Sequence, residues 1–268
     1  MKEFTVKEDC SLKDFTDFTY PQGSFYYNAL IKSGDIRVNG AKVTSNVRLR
    51  AGDSVRYYTT AKMEAKPSHE RVFEDENIYV ADKYSGVCTE ALACETGFIA
   101  VHRLDRNTSG LIVFAKSPET SKLLENIFRN RQARKAYLCI AKDNFKIDRA
   151  DMRAYLKKDE KRGLVRVSDE EGRGYVPIRT EYEVEKRREG LALVKVILHT
   201  GKTHQIRAHM AHIGCPLLGD EKYGDEALNA VYGVKRQLLV SKWLSFELKG
   251  KKYAFESSFT PQFPQKIR

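Results

Sequence analysis

The chain has 268 residues and a mass of 30.7 kDa, with 41% hydrophobic and 31% charged residues, which is a globular composition and excludes collagen-like, Pro-rich and highly charged disordered classes. Forty-seven Lys+Arg against 36 Asp+Glu give a net charge of +11, so a polyanionic partner is expected, with nucleic acid and anionic membrane both open at this point. No apolar run approaches the roughly 20 residues needed to span a bilayer, Met1 to Asp9 lacks a secretory signal pattern, and five widely spaced cysteines without a CxxC indicate neither a disulfide framework nor a thiolate zinc site, which fits the cytoplasm.

Residues 1–62 read as a unit of their own. Asn28 to Ser33 is the end of a helix stopped by Gly34. Ile36-Arg37-Val38 alternates, Asn39-Gly40 is a hairpin turn pair, and Val43, Val47, Leu49 and Val55 recur around a second turn at Gly52-Asp53. Tyr57 and Tyr58 are expected to pack rather than to stack on bases. Thr59 to Glu70 is polar and contains Pro67, and a linker is expected, set at 63–75. The string ALIKSGDIRVNGAKVTSNVRLRAGDSV resembles the RNA-binding module first described in ribosomal protein S-four. That resemblance implies phosphate contacts from Lys32, Arg37, Lys42, Arg48 and Arg50, which position RNA without reading its sequence.

Apolar strands separated by basic loops follow. Gly110 to Ala115 is a continuous apolar run of strand length. Ser117 followed by Pro118 is a helix start, and Leu123, Leu124, Ile127 and Phe128 recur at helical spacing. Tyr137 to Ala141 and Leu191 to Leu198 read as strands, Lys157 to Gly174 as an exposed hairpin or loop, and Thr203 to Ile213 as a helix closed by Gly214. Between His102 and Lys142 there are nine Lys/Arg and three Asp/Glu, so just over half of the net charge lies there. Asp105 sits in this field between Arg103 and Arg106, where nearby cations favour an ionised carboxylate.

His102-Arg103-Leu104-Asp105-Arg106-Asn107-Thr108-Ser109-Gly110-Leu111 resembles the HRLDxxTSGL segment of the RluA-type pseudouridine synthases. Lys135-Ala136-Tyr137 resembles that family's K-x-Y strand, and Thr200 to His209 its TGRTHQIRxH, continued by GCPLLGDEKYG at 214–224. The resemblance implies an α+β fold, a small N-terminal RNA-binding module followed over 76–268 by a catalytic domain with a mixed, largely antiparallel sheet. It implies a cofactor-free isomerase, without a metal, that acts as a monomer on structured RNA, ribosomal or transfer, with no membrane partner. Asp105 matches the family's catalytic aspartate, which either adds covalently to base or sugar or removes a sugar proton. Tyr137 matches the tyrosine expected to stack on the base and assist removal of the carbon 5 proton, and Arg207 the arginine that orients the aspartate.

On the predicted helix His204 and Arg207 share a face, so both are expected at one pocket. Arg103 and Arg106 are expected either to fill the gap left by a flipped uridine or to anchor phosphates. Lys135, Lys202 and His204 join the RNA contacts, Lys202 standing where the family has arginine. Two segments depart from the family pattern: Lys83-Tyr84-Ser85-Gly86 lacks its proline and lies only 15 residues before His102, and Lys242 replaces a small residue. Both are expected to alter RNA fit. Two rival readings remain at this level. One is a non-catalytic RNA-binding or assembly factor; the other is a metal site built from His199, His204, His209 and His212, which lacks a carboxylate within the run.

Overall fold

The structure is a computed structural model that describes residues 1–160 and 162–267. The N-terminal unit contains β1 (Lys2–Thr5), β2 (Cys10–Ser11), α1 (Leu12–Thr19), α2 (Pro21–Phe25), α3 (Tyr27–Ser33), β3 (Ile36–Val38), β4 (Ala41–Val43), β5 (Arg48–Leu49), β6 (Ser54–Tyr57) and α4 (Ala61–Glu64). Ser11 caps α1 by accepting from the Asp14 amide, which places an acid in the first turn, where the helix dipole favours it. Gly34 ends α3 in the left-handed conformation, and Asn39 and Gly40 both have positive φ, as a two-residue β3–β4 turn of the I′ kind requires. Leu12, Leu30, Ile36, Leu49, Val55 and Tyr57 fill the core between the helices and the sheet β1-β6-β3-β4. Tyr57 is buried with its hydroxyl 2.7 Å from Thr16 Oγ1, and Tyr58 lies under the Arg37 guanidinium, so both pack as expected.

The segment read as a linker is partly a strand. His69–Glu74 forms β7 and pairs antiparallel with β8 (Ile78–Lys83), so residues 69–74 belong to the large sheet and not to a connecting stretch. β7 is an edge strand with mostly exposed side chains, and such strands carry charge in place of an apolar alternation.

The larger unit continues with α5 (Thr89–Thr96), β9 (Ile99–Ala100), β10 (Ser109–Ala115), α6 (Pro118–Arg129), β11 (Arg134–Lys142), β12 (Arg149–Asp159), β13 (Leu164–Ser168), β14 (Val176–Arg188), β15 (Leu191–Leu198), α7 (Gln205–His212), α8 (Glu226–Tyr232), β16 (Leu239–Leu248) and β17 (Lys251–Glu256). Its 11-stranded sheet runs β13-β12-β14-β15-β11-β16-β10-β8-β7, with β17 on β16 and β9 on β10. Among the described residues only β10 and β16 pair in parallel, so the sheet is mixed and largely antiparallel. The polar stretch after Lys157 is the β12–β13 hairpin, with Lys161 outside the described residues. No helix among the described residues is long and apolar enough to cross a membrane.

β10 explains why its run is continuously apolar. Leu111, Val113 and Ala115 join one core layer, with Leu124 of α6, while Ile112 and Phe114 join the other, with Tyr137 and Cys139 of β11. Successive residues of a strand point to opposite faces, so a strand covered on both sides needs apolar residues at every position. Gly110 begins this strand with φ +106°, and a Cβ there would lie 2.4 Å from the Ser241 carbonyl oxygen. That close crossing with β16 fixes the end of the Asp105 loop.

Candidate active site

Asp105 lies on the loop between β9 and β10, its side chain 23% exposed. Arg207 Nη1 donates to Asp105 Oδ2 at 2.9 Å, while Nε and Nη2 donate to Asp220 Oδ2 and Oδ1 at 2.7 and 2.8 Å. The two-pronged pairing with Asp220 locks the guanidinium plane and leaves its remaining arm aimed at Asp105. Asp220 has a fully buried side chain and also accepts from the Lys222 and Tyr223 amides. Burial opposes its ionisation, yet hydrogen bonds from Arg207 and the amides hold its pKa below the usual carboxylate range. Burial opposes the charge on Arg207, yet Asp220 and Asp105 raise its pKa.

The ring of Tyr223 closes this assembly, 5.3 Å from the Arg207 guanidinium carbon. Its hydroxyl contacts His204 Nδ1 at 2.8 Å and accepts from the Val165 amide. His204 Nε2 is 3.9 Å from Asp105 Oδ2. Burial pulls His204 down to about 4, so the ring is neutral at physiological pH. His204 reaches the cavity by a route other than the expected shared helix face. It precedes α7, as the N-cap residue with φ 55°, and the helix starts at Gln205. Gln205 holds that start by accepting from the Thr200 hydroxyl and the Lys202 amide.

Tyr137 projects from β11 into the same cavity, of about 150 Å³, lined also by Asp105, Lys135, His204, Arg207 and Leu239. Its phenol is pushed far above the usual value by burial, with the Asp105 charge adding to the effect, and so stays protonated. The cavity shares Arg103, Lys135, Gly201 and Lys202 with a groove of about 1240 Å³. Arg129, Arg131, Arg134, Arg179 and Lys195 also line that groove, against Glu125 and Glu181. Lys135 extends over the Phe128 ring, and burial lowers its pKa.

The arginines beside Asp105 in sequence are not beside its carboxylate. Arg103 is 69% exposed at the mouth and meets Glu90 at 3.4 Å. Arg106 turns away from the carboxylate and pairs with Asp17 of α1 at 2.6 Å, its side chain 35% exposed, so this guanidinium is engaged with the N-terminal unit. The cation that orients Asp105 is instead Arg207, 102 residues away in the chain. Lys32, Arg37 and Lys42 lie on the N-terminal unit, Arg37 and Lys42 as cross-strand partners, and none lines the cavity. Lys242, expected to alter RNA fit, is buried, with its amine on the Ser257 carbonyl and Glu256. That role is in the fold.

The histidines do not converge. His199 meets Glu181, His209 meets Thr180, and His212 meets Asp169, and no three metal-ligating side chains cluster among the described residues. Sequence reasoning missed Asp220 and Tyr223, although both stand in the GCPLLGDEKYG segment. The available signal was an acid, Asp220, directly after the apolar Pro216-Leu217-Leu218 and Gly219. It also missed Lys83, which is fully buried and donates to the Tyr84, Val87 and Arg106 carbonyls, three acceptors for three ammonium donors.

Residues 80–212 match the family model described as RNA pseudouridylate synthase. The chain is 34% identical over 257 residues to an "Uncharacterized RNA pseudouridine synthase" of Aquifex aeolicus, covering 83% of this chain and 79% of that one. It is 31% identical over 242 residues to the "Ribosomal large subunit pseudouridine synthase C" of Vibrio vulnificus, covering 78% and 76%. Among solved structures, Human RNA Pseudouridylate Synthase Domain Containing 1 superimposes with a TM-score of 0.61 at 22% identity, covering 72% of this chain and 83% of that one. At that identity the likeness supports the fold.

Proposed function

The chain belongs to the RNA pseudouridine synthase family and is an isomerase of RNA uridines, and from that premise we propose that its substrate is ribosomal RNA and that Asp105 is the reacting carboxylate. The relatives named for the ribosomal large subunit support the choice of RNA. One observation carries the assignment of Asp105: it is the carboxylate that reaches the cavity, and a buried arginine, itself clamped by Asp220, orients it.

The reaction breaks the bond from uracil nitrogen 1 to ribose carbon 1, turns the base, and joins carbon 5 to the same ribose carbon. Carbon 5 then loses a proton and nitrogen 1 gains one. Whether the carboxylate adds to base or sugar or removes a sugar proton, it must be ionised and held in one geometry. Arg207 supplies the geometry, donating from Nη1 to Asp105 Oδ2 at 2.9 Å. Tyr137, a protonated phenol on a rigid strand, offers a stacking face to the base and a hydrogen-bond donor. The cavity suits one nucleobase, so a uridine in a stem must be flipped out of its stack. Arg103, Lys135 and Lys202 at the mouth, with the groove cations, hold the flanking phosphates. Residues 1–62 form an RNA-binding module, and Lys32, Arg37 and Lys42 extend the grip to it.

The test is direct. Ribosomal RNA from a strain lacking this protein is incubated with the purified chain, and pseudouridines are mapped. New pseudouridine is expected at defined positions with the wild type and none with Asp105→Ala. Equal activity of the two proteins would end the assignment of Asp105, and modification confined to transfer RNA would end the choice of ribosomal RNA.

A further inference from the structure

Arg106 follows Asp105 directly, yet its guanidinium enters the N-terminal unit. Nη1 donates to Asp17 Oδ2 at 2.6 Å, Nη2 to Ser24 Oγ at 2.9 Å, and Nε to the Gly86 carbonyl at 3.2 Å. Ser24 donates to Asp17 Oδ1 at 2.6 Å, and Lys13 contacts Oδ2 from one turn earlier in α1. Asp17 and Ser24 are both buried. The backbone of Arg106 is held as well, its carbonyl accepting from Lys83 Nζ at 3.1 Å and from the Gly86 amide at 2.8 Å.

The residue adjoining Asp105 therefore has two anchors. The backbone anchor, Lys83 and Gly86, belongs to the larger unit, while the side chain is shared between the Gly86 carbonyl and, from the N-terminal unit, Asp17 and Ser24. The Asp17 carboxylate is 12% exposed and the Arg106 side chain 35%, so this charged hydrogen bond is less screened than a fully exposed ion pair, and Asp17 satisfies both of its oxygens through Arg106, Ser24 and Lys13. Each nitrogen of Arg106 has a partner inside the protein, which commits three of its five N–H donors to positioning.

We propose that Asp17, with Ser24, is a positioning residue for the isomerisation: a latch through which the N-terminal unit holds the Asp105 loop by way of Arg106. The N-terminal unit then does more than grip RNA, because its seating on the larger unit sets the placement of the reacting carboxylate. This inference rests on the reading of Asp105 as catalytic.

The experiment uses the full chain and transcribed ribosomal RNA carrying 5-tritiated uridine, with tritium release followed in single turnover and RNA affinity measured separately. Asp17→Asn and Arg106→Gln are each expected to slow the bound-state rate about 10- to 100-fold. RNA affinity should change by less than about threefold, and the double variant should be no slower than the slower single one. Ser24→Ala, which removes one neutral arm and leaves the ion pair, is expected to lose about threefold in the same rate. Arg106→Lys should recover part of the loss of Arg106→Gln. If Asp17→Asn does not fold, Ser24→Ala and Arg106→Lys against Arg106→Gln decide the matter by the same rate.

An unchanged rate in the folded variants overturns the latch. So does tighter RNA binding by Asp17→Asn, the sign of an arginine parked on Asp17 and released to RNA. Multiplying losses in the double variant also overturn it. Asp105→Asn runs alongside: if it keeps full activity the catalytic reading fails, and if it is inactive while Asp17→Asn is normal the latch alone fails.

Discussion

The cations of this protein are held in two opposite ways. Arg207 is 7% exposed and bonded to two carboxylates, whereas the groove arginines and lysines line an open channel in which two acids face eight basic side chains. The buried chain is a specific device in a low-dielectric site, where losing one partner strands a charge. On the proposed reading the groove is a field in which each cation adds a similar, salt-screened increment to phosphate binding. Net charge counted along the sequence describes the groove well and the Asp105 cavity poorly.

The largest effect expected from breaking the buried side is at Asp105. Asp105→Asn keeps the shape and removes the charge, and the turnover rate should fall on the order of 10⁴-fold with RNA affinity retained; a full-length RNA-binding curve beside the tritium assay checks both. Next is Asp220→Asn, which leaves Arg207 buried with one ionised partner. It should cost about 3–5 kcal/mol of stability, read as a lower urea midpoint at unchanged slope, and slow the reaction as well. A midpoint equal to that of the wild type would mean that Asp220 does not clamp Arg207.

The groove should respond differently. Lys195→Ala or Arg131→Ala is expected to weaken RNA binding several-fold and to lower the slope of log affinity against log salt by about 0.7–0.9 for each phosphate no longer neutralised. The bound-state rate should not change. A groove substitution that slowed chemistry without weakening binding would erase the distinction between the two regions.

The smallest effect near neutral pH belongs to the buried histidines. His102 accepts the Val113 amide on Nε2, and burial lowers it to about 3, while His204 and His209 are lowered to about 4. Unfolded imidazoles take protons around 6.5, so between about 6.5 and 4 the unfolded chain binds more protons than the folded one. Stability is therefore complete above this window and falls as the pH drops through it. These histidines should leave thermal unfolding unchanged between pH 7 and 8 and lower it progressively below about 6.5, while Lys83, pulled down to about 7 by burial, adds a gain in stability as the pH rises above 7. His204 should add no inflection to the rate near neutrality.

Much of the local structure was legible because it rests on contacts a few residues long. Ser117 and Pro118 start α6 through a cap bond to the Thr120 amide, and Gly34 ends α3 because the left-handed turn needs no distant partner. Leu191–Leu198 is a strand at the expected residues. β7 was not legible, since an exposed edge strand lacks the alternation by which strands are read. Nor was the place of His204 outside its helix, which depends on a backbone turn closed by Gln205.

The sequence by itself determined the excess of positive charge, the order of the chemistry-bearing segments, the mixed sheet of two-sided apolar strands, and Asp105, Tyr137 and Arg207 as the residues to watch. Only the tertiary structure decided which charges meet. Arg103 and Arg106 flank Asp105 in the chain, but one points to solvent and the other into the N-terminal unit, while Arg207 and Asp220 arrive from more than a hundred residues away. The reason is steric and electrostatic together. Neighbours on a tight loop diverge, and a buried carboxylate is satisfied by whichever donors the packed strands and helices bring within about 3 Å.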